Sequence, residues 1–216
     1  MDTEKKTLEA SERKEEERRE WEEKAKHLDA CKLVFLDESG SNIALTRLYA
    51  RAPKGKRAKG SIPRNRGKNV TVISCLTFDG LGESLIVNGA ANGELFELYI
   101  EQFLAPILKA GQIVIMDNLS IHKRQKVREL IEARGCHVLF LPPYSPDFSP
   151  IEEAFSKMKA VLRSIGTRTR EALQEALEYA LTTVSASDAA GWFRHCGYLP
   201  AEPEAVQSSS TKGSIF

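Results

Sequence analysis

Tyr144-Ser145-Pro146-Asp147-Phe148-Ser149-Pro150-Ile151-Glu152-Glu153 is the stretch from which the rest of the chain is best understood. A proline-stiffened loop runs here into a helix. Pro150 suits the first helical position, where its missing N–H is no loss. Ser149 is a favoured N-cap residue, and Glu152 three positions on completes a capping-box pattern. Ile151, Phe155, Met158 and Leu162 follow at helical spacing and give the helix one apolar face. Glu152 is thereby fixed at the mouth of a helix, although a lone glutamate there need do no more than cap it.

Two other acids shift the balance towards chemistry. Asp37 closes the apolar run Leu33-Val34-Phe35-Leu36, and Asp117 closes Ile113-Val114-Ile115-Met116. Each run reads as a buried strand ending in an acid where strand meets loop. Acids at the ends of neighbouring strands can converge at one sheet edge. Three carboxylates gathered there repel one another unless a cation holds them. Hard oxygen donors suit Mg²⁺ or Mn²⁺. Glu153 competes with Glu152 for the third place, but the capping register favours Glu152. Glu38 is discounted as a helper of Asp37, because adjacent strand residues point to opposite faces.

Outward from these motifs the chain alternates. Residues 1–30 are a charged helical connector, with opposite charges four apart at Glu9/Arg13, Glu15/Arg19 and Glu22/Lys26 and few apolar anchors. That pattern predicts a solvated helix. After Asp37, Glu38-Ser39-Gly40 reads as a turn, with a strand from Ile43 to Leu48. Further strands are predicted over 70–78, 84–87, 113–116 and 137–140. Helices are predicted from Asn92 or Gly93, from near His122, from Pro150, around Leu173 to Val184, and after Asp188. The order implies an α/β protein with a mixed central sheet flanked by helices, spanning residues 31–198, and a disordered tail over 199–216.

Between Arg47 and Lys68 stand nine cations and no acid, in a segment broken by Pro53, Gly55, Gly60, Pro63 and Gly67. The formal net charge of the whole chain is only +1, so the asymmetry is local. A solvated loop is the simplest account of a charge run, but unopposed cations at this density fit a polyanion better. Arg51, Lys54, Lys56, Arg57, Lys59, Arg64, Arg66 and Lys68 are the candidate phosphate contacts, joined by His122 and Lys123. Such contacts fix position on DNA without reading sequence. His122 could equally cap its own helix. The four cysteines match no zinc spacing and are expected as buried free thiols in a reducing cytoplasm. No apolar run reaches membrane-spanning length.

Phe35-Leu36-Asp37-Glu38-Ser39-Gly40, Met116-Asp117-Asn118 with His122, Pro53-Lys54-Gly55, and Tyr144-Ser145-Pro146-Asp147 through Ser149-Pro150-Ile151-Glu152 together resemble the DDE transposase/integrase superfamily. Within it they are most similar to the IS630 branch of the IS630/Tc1/mariner group. The resemblance covers about residues 32 to 198. It implies a ribonuclease-H-like fold and an endonuclease that cuts DNA strands and joins them to a target during transposition. It further implies Asp37, Asp117 and Glu152 as catalytic residues and ligands of two Mg²⁺ or Mn²⁺ ions, with Asp37 shared between them. The implied partners are double-stranded DNA (transposon ends and a TA target), a second copy or higher assembly on DNA, and a helix-turn-helix protein from an upstream reading frame. The expected location is the cytoplasm, at the nucleoid, with no membrane partner. Two alternatives stay open: an inactive or domesticated DNA-binding remnant, and a different ribonuclease-H-like nuclease.

Overall fold

The computed structural model describes residues 13–47 and 49–201. Five strands form one mixed sheet: β1 (Leu33–Ser41), β2 (Val70–Thr77), β3 (Gly80–Asn88), β4 (Ile113–Met116) and β5 (His137–Phe140). Their spatial order is β3-β2-β1-β4-β5. β1, β2 and β3 form an antiparallel meander, while β4 and β5 run parallel to β1. The helices are α1 (Glu15–Ala25), α2 (Gly93–Tyr99), α3 (Gln125–Glu132), α4 (Pro150–Ile165), α5 (Arg170–Thr182) and α6 (Ala186–His195). Among the described residues no helix is long and apolar enough to cross a membrane.

Alternation along the central strands divides the core in two, because successive strand side chains face opposite ways. Leu33, Phe35, Val70, Val72 and Ile115 face one layer, with Ile151, Phe155, Met158 and Leu162 of α4, Leu173 and Leu177 of α5, and Phe193 of α6. Val34, Leu36, Ile73, Val114 and Met116 face the other, with Phe96 and Tyr99 of α2 and Val127 and Ile131 of α3. Phe96 and Tyr99 of α2 are fully buried.

Several local expectations need correction. Glu38, Ser39 and Gly40 are not a turn; they pair with Ile73, Val72 and Thr71, so β1 runs on to Ser41. The long β-branched partner strand overrides the weak strand preference of Ser and Gly. No strand forms from Ile43 to Arg47, and Leu48 lies outside the described residues. Asn42 starts a turn there instead, its side chain accepting from Ala44 N at 3.0 Å, a local bond typical of Asn. Ser149 is the N-cap of α4 but makes no side-chain cap bond, so the expected capping box is absent. Such a box opens α6, between Ser185 and Asp188. α3 begins at Gln125, three residues after His122.

α1 is not wholly solvated either. Arg18, Trp21 and Ala25 are buried on the body of the protein. Trp21 Nε1 donates to the Tyr198 hydroxyl at 3.0 Å, and that hydroxyl donates to the Phe148 carbonyl at 2.8 Å. Of the charge pairs read from sequence, Glu9 lies outside the described residues; among the described residues, ion pairs on or beside this helix include Arg13–Glu15, Lys14–Glu17 and Lys26–Glu23. Most of the predicted tail also lies outside them, while Leu199 bridges to Asp29. Cys31 is exposed, unlike the buried Cys75 and Cys136.

Candidate active site

Register places the acids. Phe35 on β1 pairs with Ile115 on β4, the last pair of that ladder. Two residues further along come Asp37, still within β1, and Asp117, just past the end of β4, on the same sheet face as Phe35 and Ile115 by the period of two. That face is the one α4 covers. Asp37 is the middle residue of a nine-residue β1, not its end, but it stands where the neighbouring strand β4 stops. α4 brings in Glu152 in its first turn. Asp37, Asp117 and Glu152 line one cleft of about 480 Å³, walled by Pro142, Pro143, Tyr144 and Ser149.

Glu153, the competing candidate, turns to the side and pairs with His195 Nδ1. Because Ser149 leaves the helix start uncapped by side chain, Glu152 is not drawn into a reciprocal cap. The entry loop is stiffly held. The Arg18 guanidinium grips Asp147 with two bonds of 3.0 and 2.6 Å and lies 4.1 Å from the Phe148 ring centroid. Tyr144 has φ 54°, the left-handed region, and among the described residues no other non-glycine does. Strain of that kind persists where surrounding structure imposes it, often beside a functional site.

The electrostatics are those of crowded anions. Burial pushes the Asp37 carboxyl well above the usual range. A backbone hydrogen bond from Glu38 opposes this, and the charges of Glu38, Glu152 and Asp117 reinforce it. His122 is 1% exposed. Its Nδ1 donates to Asp117 Oδ1 at 2.6 Å and its Nε2 to Glu38 Oε2 at 2.9 Å. Burial alone would lower the His122 pKa, but the hydrogen bonds and charges of Asp117 and Glu38 outweigh it and raise it to about 10. With both nitrogens committed, His122 has no donor left for DNA, so it stands behind Asp117 and not among the surface cations.

Those surface cations are elsewhere. Arg51, Lys54, Lys56, Arg57, Lys59, Arg64, Arg66 and Lys68 are all exposed on a segment without helix or strand, and Lys123 is exposed in the turn before α3. The base of the segment is tied to the far end of α4: Arg168 donates to the carbonyls of Ile43 and Leu45 at 3.2 and 3.1 Å.

Among the described residues, no three His, Cys, Asp or Glu side chains are already drawn into ligating positions. The donor set nevertheless fits a hard divalent cation: three carboxylates on one cleft, with Asp37 destabilised as an anion by burial and then by the charges of Glu38, Glu152 and Asp117.

A sequence profile of the DDE superfamily endonucleases matches residues 32–174, a span that holds all three acids. The chain belongs to this DDE endonuclease family. It is 26% identical over 180 residues to the transposable element Tc1 transposase of Caenorhabditis elegans, covering 79% of this chain and 63% of the relative. The solved pre-cleavage Mos1 transpososome superposes with TM-score 0.71 at 17% identity, over 91% of this chain and 64% of that one. The Mos1 transposase catalytic domain, solved with raltegravir and Mn, superposes with TM-score 0.62 at 14% identity, over 88% of this chain and 92% of that domain. The chain thus spans a little under two thirds of the transposases it matches. The ribonuclease-H-like fold expected of a DDE endonuclease is the fold observed. Three features of this DDE domain escaped the sequence: the Glu38–His122–Asp117 chain, the Arg18 grip on Asp147, and the strained Tyr144. Glu38 carried a signal, since a strand glutamate facing the buried layer requires a partner.

Proposed function

We propose that the chain is the catalytic domain of a Tc1/mariner-type transposase of the IS630 branch, cutting DNA at transposon ends and joining the freed 3′ ends to target DNA at TA. The observation that carries this reading is the placement of Asp37 and Asp117 at one height on one sheet face, with Glu152 delivered to the same cleft by α4. Asp37, Asp117 and Glu152 would hold two Mg²⁺ or Mn²⁺ ions, with Asp37 common to both; the Mos1 catalytic domain itself was solved with Mn. Bound there, such ions supply Lewis acidity to the scissile phosphate and a water or 3′-hydroxyl activated for attack.

The protein's own residues do the rest. The Arg18-held loop fixes the position of Glu152. The exposed cations from Arg51 to Lys68, with Lys123, bind the DNA backbone and neutralise phosphates. A related Mos1 structure is a paired-end complex with a transposon end, in keeping with a second copy of this chain on DNA; end recognition falls to a helix-turn-helix protein from an upstream frame. Both belong to this proposal.

The test is a substrate panel of blunt duplex, RNA–DNA hybrid and branched ends, with Mg²⁺ or Mn²⁺ and with chelator. Metal-dependent cleavage of duplex carrying the element's own inverted repeats supports the reading. Preference for hybrid or junction makes the chain another ribonuclease-H-like nuclease. No cleavage of any substrate makes it a DNA-binding remnant. Separately, neutralising Arg64, Arg66 and Lys68 together should lower DNA affinity across all sequences. It should also flatten the slope of log affinity against log salt by about one for each phosphate no longer neutralised. An unchanged slope would place the DNA on another surface.

A further inference from the structure

We infer that Glu38 is a positioning residue for metal binding, acting on Asp117 through His122. This rests on the proposed role of Asp117 as a ligand. Glu38 and Asp37 are adjacent on β1 and face opposite ways, so Glu38 cannot share the cleft directly. It faces the α2–α3 layer, where His122 lies against Phe96 with ring centroids 4.4 Å apart and a 33° tilt. From there His122 spans the sheet edge, with Glu38 Oε2 at 2.9 Å on one nitrogen and Asp117 Oδ1 at 2.6 Å on the other. The Glu38 side chain is 12% exposed and that of His122 is 0% exposed, so water competes little for the bond between them, while Asp117 at the other end is open to solvent.

The consequence falls on Asp117. Its Oδ1 also accepts from Leu119 N at 2.9 Å, so two donors fix one oxygen and set the plane of the carboxylate. Oδ2 accepts no hydrogen bond from a described residue and is the oxygen left for a cation. Without Glu38 the imidazole keeps its stacking on Phe96 but loses the bond that sets its rotation. Asp117 then gains freedom that a metal must remove again on binding. Outer partners that orient a ligand in this way typically change metal affinity about tenfold to a hundredfold when removed.

The experiment compares Glu38→Met, close in size but without an acceptor, with Glu38→Gln, which keeps an acceptor for Nε2. Calorimetric titration of the whole chain with Mn²⁺ alone gives affinity, and thermal melting reports folding. Expected are a loss of Mn²⁺ affinity of about tenfold or more in Glu38→Met and a value within about threefold of the unaltered protein in Glu38→Gln. Metal-free DNA affinity should be unchanged in both. Unchanged Mn²⁺ affinity in folded Glu38→Met overturns the inference. So does a tenfold loss in Glu38→Gln, which also serves if Glu38→Met does not fold. If the unaltered protein binds no Mn²⁺ in the cleft, or Asp117→Asn does not weaken that binding, the proposed function fails first, and the two failures are told apart.

Discussion

Exchanging Asp117→Asn is expected to lower divalent-metal-dependent DNA cleavage by about a thousandfold or more while leaving the domain folded. The two halves of this prediction have separate physical grounds. Asparagine keeps the size of aspartate and one acceptor oxygen, so the bonds from Leu119 N and His122 can re-form. The side chain is 41% exposed at the rim of the sheet, so the exchange leaves the core packing intact. What disappears is the anionic charge facing the cleft. Stabilisation of a transition state by metal is worth several kcal/mol, and each 1.4 kcal/mol is about tenfold in rate. Cleavage assayed against a plasmid or end-bearing duplex, with melting as the folding control, checks both halves. Retained cleavage in the folded variant would remove Asp117 from the chemistry.

The second large effect is expected on stability. Trp21→Ala should destabilise the protein by about 3–5 kcal/mol, the usual range for truncating a buried aromatic to alanine. Trp21 is only 6% exposed and joins the core layer built on α4 and α6. Its indole N–H also holds Tyr198, which in turn holds the backbone at Phe148. Truncation therefore loosens the loop that feeds Glu152 as well as the helix itself. Cleavage should fall along with the urea midpoint, whereas Trp21→Phe, which keeps most of the apolar area, should recover much of the stability. A loss below about 1 kcal/mol would mean that α1 is held by surface charge pairs, which are individually weak.

Why these elements were or were not legible follows from what decides each. β4 and β5 were plain because short apolar runs bounded by Gly, Asn and Pro have few other uses. Asp37 and Asp117 stood out as a candidate site because two such runs ended on them, and Glu152 because a proline-stiffened loop set it at a helix start. The extent of β1 was not, since Glu38, Ser39 and Gly40 become strand only through pairing with β2, a neighbour distant in sequence. The buried face of α1 was hidden because Arg18 occupies it, and an arginine reads as solvent-facing until Asp147 is seen to meet it. Ser149 and Glu152 spelled a capping box whose side-chain bonds are not made, although Ser149 has the N-cap backbone, which leaves Glu152 for the cleft.

Glu38 shows the same limit at the site. The period-two rule correctly placed it on the face away from Asp37. Sequence alone could not show that His122 crosses behind the strand end and joins it to Asp117. Charge placement was easier. Nine cations without an acid announce themselves in one dimension, and the structure keeps the eight from Arg51 to Lys68 exposed.

Asp37, Asp117 and Glu152 are expected to close on divalent cations where β4 stops beside the middle of β1. Diffraction from Mn²⁺-soaked crystals, collected at the manganese absorption edge, tests it without recourse to activity. Anomalous peaks are expected in the cleft, in contact with carboxylate oxygens of all three residues. A cleft without a peak, or manganese held by other side chains while these three stay apart, would contradict it.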